Sequence, residues 1–256
     1  MSRNPIFNLI IGFNRKLAMG ENLIEKIEKA IRDLNKGKFV LIYDDDNREG
    51  ETDLIKASKF VKPVDIKTMR KDGGGLIFIM VSYDIAKKLQ LPFLTDLFYK
   101  IENTYPVLKW LNPYDIPYDT KSSFSLYINH RKTFTGITDK DRALTIRRFA
   151  ELVENLINEK DSKKILQEFG EEFRSPGHVP ICVASKNPLE DRKGHTELST
   201  SLLKMADLTP IASGCEMMAD NGRALSKTEA RRYAEDHNLV FLEGNEIVEA
   251  WEKWLE

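Results

Sequence analysis

Residues 39–53 read F-V-L-I-Y-D-D-D-N-R-E-G-E-T-D, so the largely apolar run Phe39 to Tyr43 passes straight into six carboxylates around one arginine, Arg48. The run has the length and composition of a buried strand, and α/β sheets place ligand sites at strand ends. Asp44, Asp45, Asp46, Glu49, Glu51 and Asp53 repel one another. A fold keeps such a cluster when a cation, a proton or a cationic side chain neutralises it. A solvated acidic turn would explain a D-D-D run by itself. Arg48, Gly50 and a second polar cluster, Arg192-Lys193-Gly194-His195-Thr196-Glu197, weigh against that.

Outward from this stretch, helices and strands interleave. Residues 22–36 form an amphipathic helix through Leu23, Ile24, Ile27, Ile31 and Leu34, stopped by Gly37. Pro63 opens a short helix carrying Ile66 and Met69, and Asp72-Gly73-Gly74-Gly75 leads into a strand, Leu76 to Val81. Three consecutive glycines suit a sharp bend or a close backbone approach, and equally a flexible turn. Prolines 92, 106, 113 and 117 break up residues 91–122, which read as an insertion with one short helix near Leu94 to Ile101. Residues 124–129 alternate as a half-buried strand. A long helix through Asn155 follows, with Leu144, Phe149, Leu152 and Val153 in the core. Strand 179–184 is expected after the turn Arg174-Ser175-Pro176-Gly177. A helix from about Thr196 to Asp207, strand 210–218, a helix opened by the capping pair Ser226 and Glu229, strand 239–242 and a closing helix to Trp254 complete the chain. The expected fold is a layered α/β protein without a clear domain break.

The chain has 256 residues and a net charge of −1, from 39 basic and 40 acidic side chains. Nothing in that balance advertises nucleic acid or an anionic membrane. No apolar run approaches a bilayer span. Cys182 and Cys215 lie in apolar runs and read as packed thiols, so the chain reads as cytoplasmic. Residues 1–18, with an apolar patch Ile6 to Phe13 but no signal-peptide charge pattern, read as an extension dispensable for activity and melting temperature.

There is no dinucleotide fingerprint, phosphate-binding P-loop, serine nucleophile elbow or four-ligand zinc spacing. What remains is oxygen-rich. Glu49 and its neighbours suit a hard cation such as Mg²⁺ or Mn²⁺, with His195 as one nitrogen ligand. Residues 131–138, R-K-T-F-T-G-I-T, offer phosphate-binding groups just before a helix, although an N-cap by Thr138 explains much of them. Arg192 is a second phosphate candidate. Glu216, in I-A-S-G-C-E-M-M, is a candidate acid or base, because a carboxylate in an apolar context is paired, metal-linked or raised in pKa. His178 in its turn reads as incidental on position alone, and His130 and His237 read as structural.

Taken together, Asp44-Asp45 with Arg48-Glu49-x-Glu51-x-Asp53, residues 133–138, Arg174-Ser175-Pro176-Gly177-His178, Arg192-x-Gly194-His195-Thr196-Glu197 and Cys215-Glu216 resemble the 3,4-dihydroxy-2-butanone 4-phosphate synthase family of riboflavin biosynthesis. The resemblance covers about residues 20–245, and the 91–122 insertion looks like the archaeal type. It implies a three-layer α-β-α fold with a mixed twisted sheet, one synthase domain over residues 19–256, and a homodimer. It also implies a Mg²⁺- or Mn²⁺-dependent lyase that converts D-ribulose 5-phosphate to L-3,4-dihydroxy-2-butanone 4-phosphate and formate. The family's metal ligands fall on Glu49 and His195. Its catalytic positions fall on Glu216, His178, Asp53 and Glu51, with either Asp53 or Glu216 as the base. Its substrate contacts fall on Arg48, Glu49, Asp53, Asp45, Thr135, Thr138, Arg192, Lys193, Gly194, His195, Thr196 and Glu216. Many relatives carry a cysteine near the position of Phe78, and some carry a fused zinc-binding cyclohydrolase domain. This chain is expected to be monofunctional and to bind neither nucleic acid nor membrane. Two alternatives remain: another metal-dependent phosphosugar isomerase or aldolase, or a non-catalytic RNA- or nucleotide-binding module, against which the acidic loop speaks.

Overall fold

A computed structural model describes residues 21–113 and 115–256, so the proposed extension 1–18 lies outside the described residues. The strands are β1 (Val40–Tyr43), β2 (Thr52–Ala57), β3 (Phe78–Val81), β4 (Phe124–His130), β5 (Phe173–Val183), β6 (Ile211–Glu216) and β7 (Val240–Glu243). They form one seven-stranded mixed sheet in the order β4-β5-β3-β6-β2-β1-β7. β1–β7 and β3–β5 are parallel, and the other neighbours are antiparallel.

Strand alternation sends side chains to two cores, one on each face. Val40, Ile42, Ile55, Phe78 and Met80 meet helices α1 (Glu21–Asn35), α7 (His195–Met205) and α9 (Gly244–Leu255) through Ile27, Leu34, Leu198, Leu202, Ile247 and Trp251. Leu41, Leu54, Ile79 and Ile181 meet the opposite face. There α2 (Pro63–Thr68), α3 (Tyr83–Lys88), α5 (Asp139–Leu156), α6 (Ser162–Glu172) and α8 (Lys227–Asp236) bring Ile66, Ile85, Phe149, Ile165 and Ala234. The result is the three-layer α-β-α arrangement. Phe149 is fully buried among other aromatic rings, and its truncation to Ala would cost about 3–5 kcal/mol. α4 (Leu94–Ile101) lies in the 91–122 segment with no buried residue. Among the described residues no helix is long and apolar enough to cross a membrane.

Several sequence readings need correction. β2 was not legible as a strand, because Asp53 and Lys56 interrupt its apolar pattern, yet all its residues are buried. Lys56 is neutralised by Asp65 at 2.8 Å, which makes a charge tolerable there. The segment Arg174–Gly177 is not a turn before a strand but part of β5 itself. β4 pairs Ile128 with Val179 but Asn129 with Arg174, so residues 175–178 bulge out of the ladder. Gly177 fits because a Cβ there would sit 2.0 Å from the Ile128 carbonyl carbon. In α5, Ala143 and Ile146 take the buried positions, while Leu144 is only half-buried. Helices α3 and α6 had no counterpart in the sequence reading.

Candidate active site

The acidic loop joins two antiparallel strands, so its ends are pinned by the β1–β2 ladder, with Tyr43 opposite Thr52. Asp44 organises what lies between. Its Oδ2 accepts the Glu49 amide at 3.0 Å and Arg48 Nη1 at 3.1 Å, and its Oδ1 accepts the Glu51 amide at 3.1 Å. Glu49 and Glu51 are thereby turned toward α7, whose first residue is His195.

His195 Nδ1 lies 3.1 Å from Glu49 Oε2, and Nε2 lies 3.2 Å from the Glu51 carbonyl oxygen. If Nε2 carries the proton and donates to that carbonyl, Nδ1 presents a lone pair to a carboxylate oxygen. Two lone pairs at that separation require a proton or a cation between them. Burial works against a charged imidazole, but Asp53, Glu49 and Asp44 override it and push His195 up to about 10. Burial also works against the Glu49 carboxylate, and His195, Arg48 and Arg192 nevertheless hold it down at about 2.

β2 and β6 bring Asp53 directly opposite Glu216. Both project to the α7 side of the sheet. Asp53 is fully buried, His195 Nε2 stands 3.7 Å from its Oδ1, and neither oxygen has a hydrogen-bond partner among the described residues. Burial, then Glu216 and Glu49, raise its carboxyl well above the ordinary range. Glu216 Oε2 accepts the Leu76 amide at 2.8 Å, and burial raises this carboxyl too. The glycines before β3 allow this approach: a Cβ on Gly75 would fall 2.5 Å from Glu216 Oε2. Crowded carboxylates in a dry site hold protons that an exposed pair would release.

These groups line a cavity of about 270 Å³. It brings together Glu49, Glu51, Asp53, Arg192, His195, Thr196 and Glu216. Arg48 stands beside it, through its pairs with Asp44, Glu49 and Asp119, and Gly194 packs against both arginines. The fold does not bring in Asp45 or Lys193, which are exposed and border a separate depression with Asn245 and Glu249. Thr135, Thr138 and His178 are exposed at the other end of β4 from the cavity. Thr138 caps α5 by accepting the Asp141 amide at 3.1 Å, and His178 leans on Asn129.

The sequence reading missed the contribution of the 91–122 segment, which supplies Tyr118, Asp119 and Lys121 to the cavity wall. Cys182 also lines it, but burial pushes that thiol up to about 12, so it is no nucleophile at neutral pH. Both cysteines are free and buried.

The donor set fits a hard divalent ion. One oxygen or nitrogen each from Asp44, Glu49 and His195 lie within 4.8 Å of one another. Asp44 is already occupied by two amides and Arg48, whereas Glu49 and His195 turn an oxygen and a nitrogen toward each other and are the better candidate donors. Fold and site together define an α/β enzyme whose cavity gathers carboxylates, an arginine and a histidine, a donor set that suits a hard cation.

Comparison with known proteins makes the assignment specific. The chain belongs to the 3,4-dihydroxy-2-butanone 4-phosphate synthase family, whose model matches residues 28–250. It is 46% identical over 230 residues to the 3,4-dihydroxy-2-butanone 4-phosphate synthase of Methanothermobacter thermautotrophicus, covering 90% of this chain and 97% of that one. Against the Archaeoglobus fulgidus enzyme of the same name it is 44% identical over 236 residues, covering 91% and 97%. The crystal structure of the Candida albicans synthase superposes with a TM-score of 0.65 at 26% identity, over 87% of this chain and 95% of that one. A synthase structure in complex with two magnesium ions shares the fold, with a TM-score of 0.66 at 23% identity over 89% and 96%.

Proposed function

We propose that this chain is a lyase of riboflavin biosynthesis that converts D-ribulose 5-phosphate into L-3,4-dihydroxy-2-butanone 4-phosphate and formate. The observation that carries the mechanism is the buried, unpartnered carboxylate of Asp53 opposite Glu216 and beside His195. A carboxylate kept dry and without hydrogen bonds is basic and lacks a partner that a substrate hydroxyl or C–H can supply.

Glu49 and His195 would hold Mg²⁺, or Mn²⁺ in its place. The bound ion would supply Lewis acidity toward a carbonyl and neighbouring hydroxyl of the sugar. The neighbouring magnesium-bound synthase supports this choice of ion. Asp53 or Glu216 removes the acidified proton to give an enediol. The other carboxyl, which burial makes a better proton holder, returns a proton as water leaves. A skeletal shift and release of C4 as formate follow. The products sum to the atoms of the substrate, so the water lost in one step is regained when formate departs. Glu51, also raised by burial and by Glu49 and Glu216, is a third proton carrier at the mouth. Arg48 and Arg192 bind the phosphate, and Thr196 and Gly194 set its position.

A homodimer is part of this reading. Phe134 is 94% exposed and Ile137 is 49% exposed, side by side with Thr135 and Thr138 near the free edge of β4. An apolar patch of that kind beside an edge strand calls for a cover. A second copy there would give Thr135, Thr138 and His178 their catalytic and phosphate-binding roles across the interface.

The test is purified protein with ribulose 5-phosphate and Mg²⁺, with and without EDTA, followed by NMR. Metal-dependent formate is the expected result. A changed sugar without formate would redirect the assignment to an isomerase or aldolase.

A further inference from the structure

Arg48, from the acidic loop, and Arg192, from the segment before α7, meet on one carboxylate, Asp119. Its Oδ2 accepts Arg48 Nη2 at 2.9 Å and the Nε–H of Arg192. Each arginine also has an acceptor of its own. Arg48 Nη1 is held by Asp44, and Arg192 Nη1 by Glu197 at 2.7 Å. Those two acceptors are fixed parts of the fold. Both side chains are fully buried, Asp44 is tied to the Glu49 and Glu51 amides, and Glu197 accepts the Ser185 amide at 2.8 Å.

Asp119 is different. It sits on the irregular segment, outside any helix or strand. Apart from the two arginines, its carboxylate accepts, among the described residues, only the amide of the next residue, Thr120. Tyr118 beside it covers Arg48, with the ring centroid 5.4 Å from the guanidinium carbon. Both guanidiniums are therefore already neutralised by carboxylates, and a dianionic phosphate gains the full charge of the pair only when one of those carboxylates leaves. Displacing Asp44 or Glu197 would strip half-buried backbone amides of their partners, a cost of up to about 1–3 kcal/mol each. Displacing Asp119 strips no such group.

We propose that Asp119 is an internal stand-in for the substrate's phosphate: it holds Arg48 and Arg192 together in the empty enzyme and is displaced from them when the phosphate binds. The inference rests on the phosphosugar reading, and it adds a residue that sets how strongly the site takes up phosphorylated compounds. A charged carboxylate that competes for the same two cations weakens phosphate binding. It also keeps the pair organised against mutual repulsion, and screens the cavity from other anions.

The test uses inorganic phosphate as the probe and calorimetric titration of the full chain, comparing wild type with Asp119→Asn and Asp119→Ser, with melting curves as the check on folding. Asn keeps the shape and removes the charge; Ser serves if Asn fails to fold. Both variants are expected to bind phosphate about tenfold more tightly than wild type, the scale of one lost competing charge pair. KM for the sugar phosphate should fall in parallel, without a rise in kcat. A merely structural Asp119 would predict the opposite, weaker phosphate binding through loosened arginines. Unchanged or weaker binding in the folded variants, or no measurable binding in any of the three proteins, would overturn the proposal. Tighter phosphate binding in the variants of an enzyme that makes no formate would leave the stand-in role intact and remove the synthase assignment instead.

Discussion

Asp53 and Glu216 face each other across the antiparallel β2–β6 pair, and the Asp53 carboxylate has no hydrogen-bond partner among the described residues. Such a group makes no hydrogen bond that an amide would lose, and the cost of its burial is offset in part by its attraction to His195, 3.7 Å away. Asp53→Asn should therefore cut kcat by about 10²–10⁴-fold, the range for removing a general acid–base group. Its melting temperature should stay within a few degrees of wild type in metal-free buffer, since the lost attraction to His195 and the relieved burial oppose each other. A drop of several degrees would show that the carboxylate is structural.

Glu216→Gln separates the two carboxyls. The glutamine carbonyl oxygen can still accept the Leu76 amide, so the β3 entry and the substrate pocket should persist. Substrate binding is expected to change little while turnover falls about 10²–10⁴-fold. Near-normal turnover would remove Glu216 from the mechanism and leave Asp53 as the base.

Ion binding should be strongly pH-dependent. In the ion-free protein His195 is protonated, its pKa carried from 6.5 up to about 10 despite burial by the surrounding carboxylates. A ligating imidazole must be neutral, so the ion has to expel that proton. Affinity for Mg²⁺ should rise with pH until about 10 and level off above it, with close to one proton released per ion below that value in buffers of different ionisation enthalpy. The same shift has the opposite sign for stability without the ion: the raised pKa stabilises the fold fully below pH 6.5, and this is lost as pH rises through about 10. A pH-independent affinity would show that His195 is not a ligand.

Gly194→Ala probes the arginine pair sterically. A Cβ there would lie 2.5 Å from Arg192 Nη1 and 2.8 Å from Arg48 Nη2, so both guanidiniums must shift. KM for ribulose 5-phosphate should rise about tenfold, with a smaller effect on kcat, because misplacement of the anchor costs affinity first. As the N-cap of α7, the position also carries a stability cost of up to about 2 kcal/mol. An unchanged KM would place the phosphate elsewhere.

Phe134→Asp tests the second copy. Phe134 buries nothing within its own chain, at 94% exposure, so the folded monomer should tolerate the change. Sedimentation should show loss of the dimer, and formate production should fall with it. A variant that stays dimeric and active would move the interface to another face.

Much of the architecture was readable because its period is strong. The α1 stripe and the Ser226–Glu229 capping pair read directly into structure, and of the two readings of the glycines before β3 the close backbone approach is the one found. β2 escaped because a strand that carries function at Asp53 and a buried ion pair at Lys56 loses the alternation that marks strands. The start of β5 escaped because proline and glycine signal a turn, whereas here they build a bulge. The acidic loop and the cluster from Arg192 to Glu197 could be singled out by composition. Asp119 could not: it lies in a proline-broken segment, 71 and 73 positions from the two arginines it joins, and only the folded chain brings them together.

The hairpin origin of the acidic loop has a consequence for how this site can vary. Asp53 reaches the α7 side only because Ile42 is its partner in β1 and Glu216 its partner in β6. Sliding β2 by a single residue would turn Asp53 into the core beside Leu54's present neighbours and expose the cavity to an apolar side chain. Insertions and deletions between Tyr43 and Ala57 are thus confined to the loop tip, whereas the 91–122 segment, outside the ladder, is free to lengthen, shorten or change sequence without moving the two acids. The enzyme's chemistry is written in hydrogen-bond register, and its uptake of substrate in a part of the chain that has none.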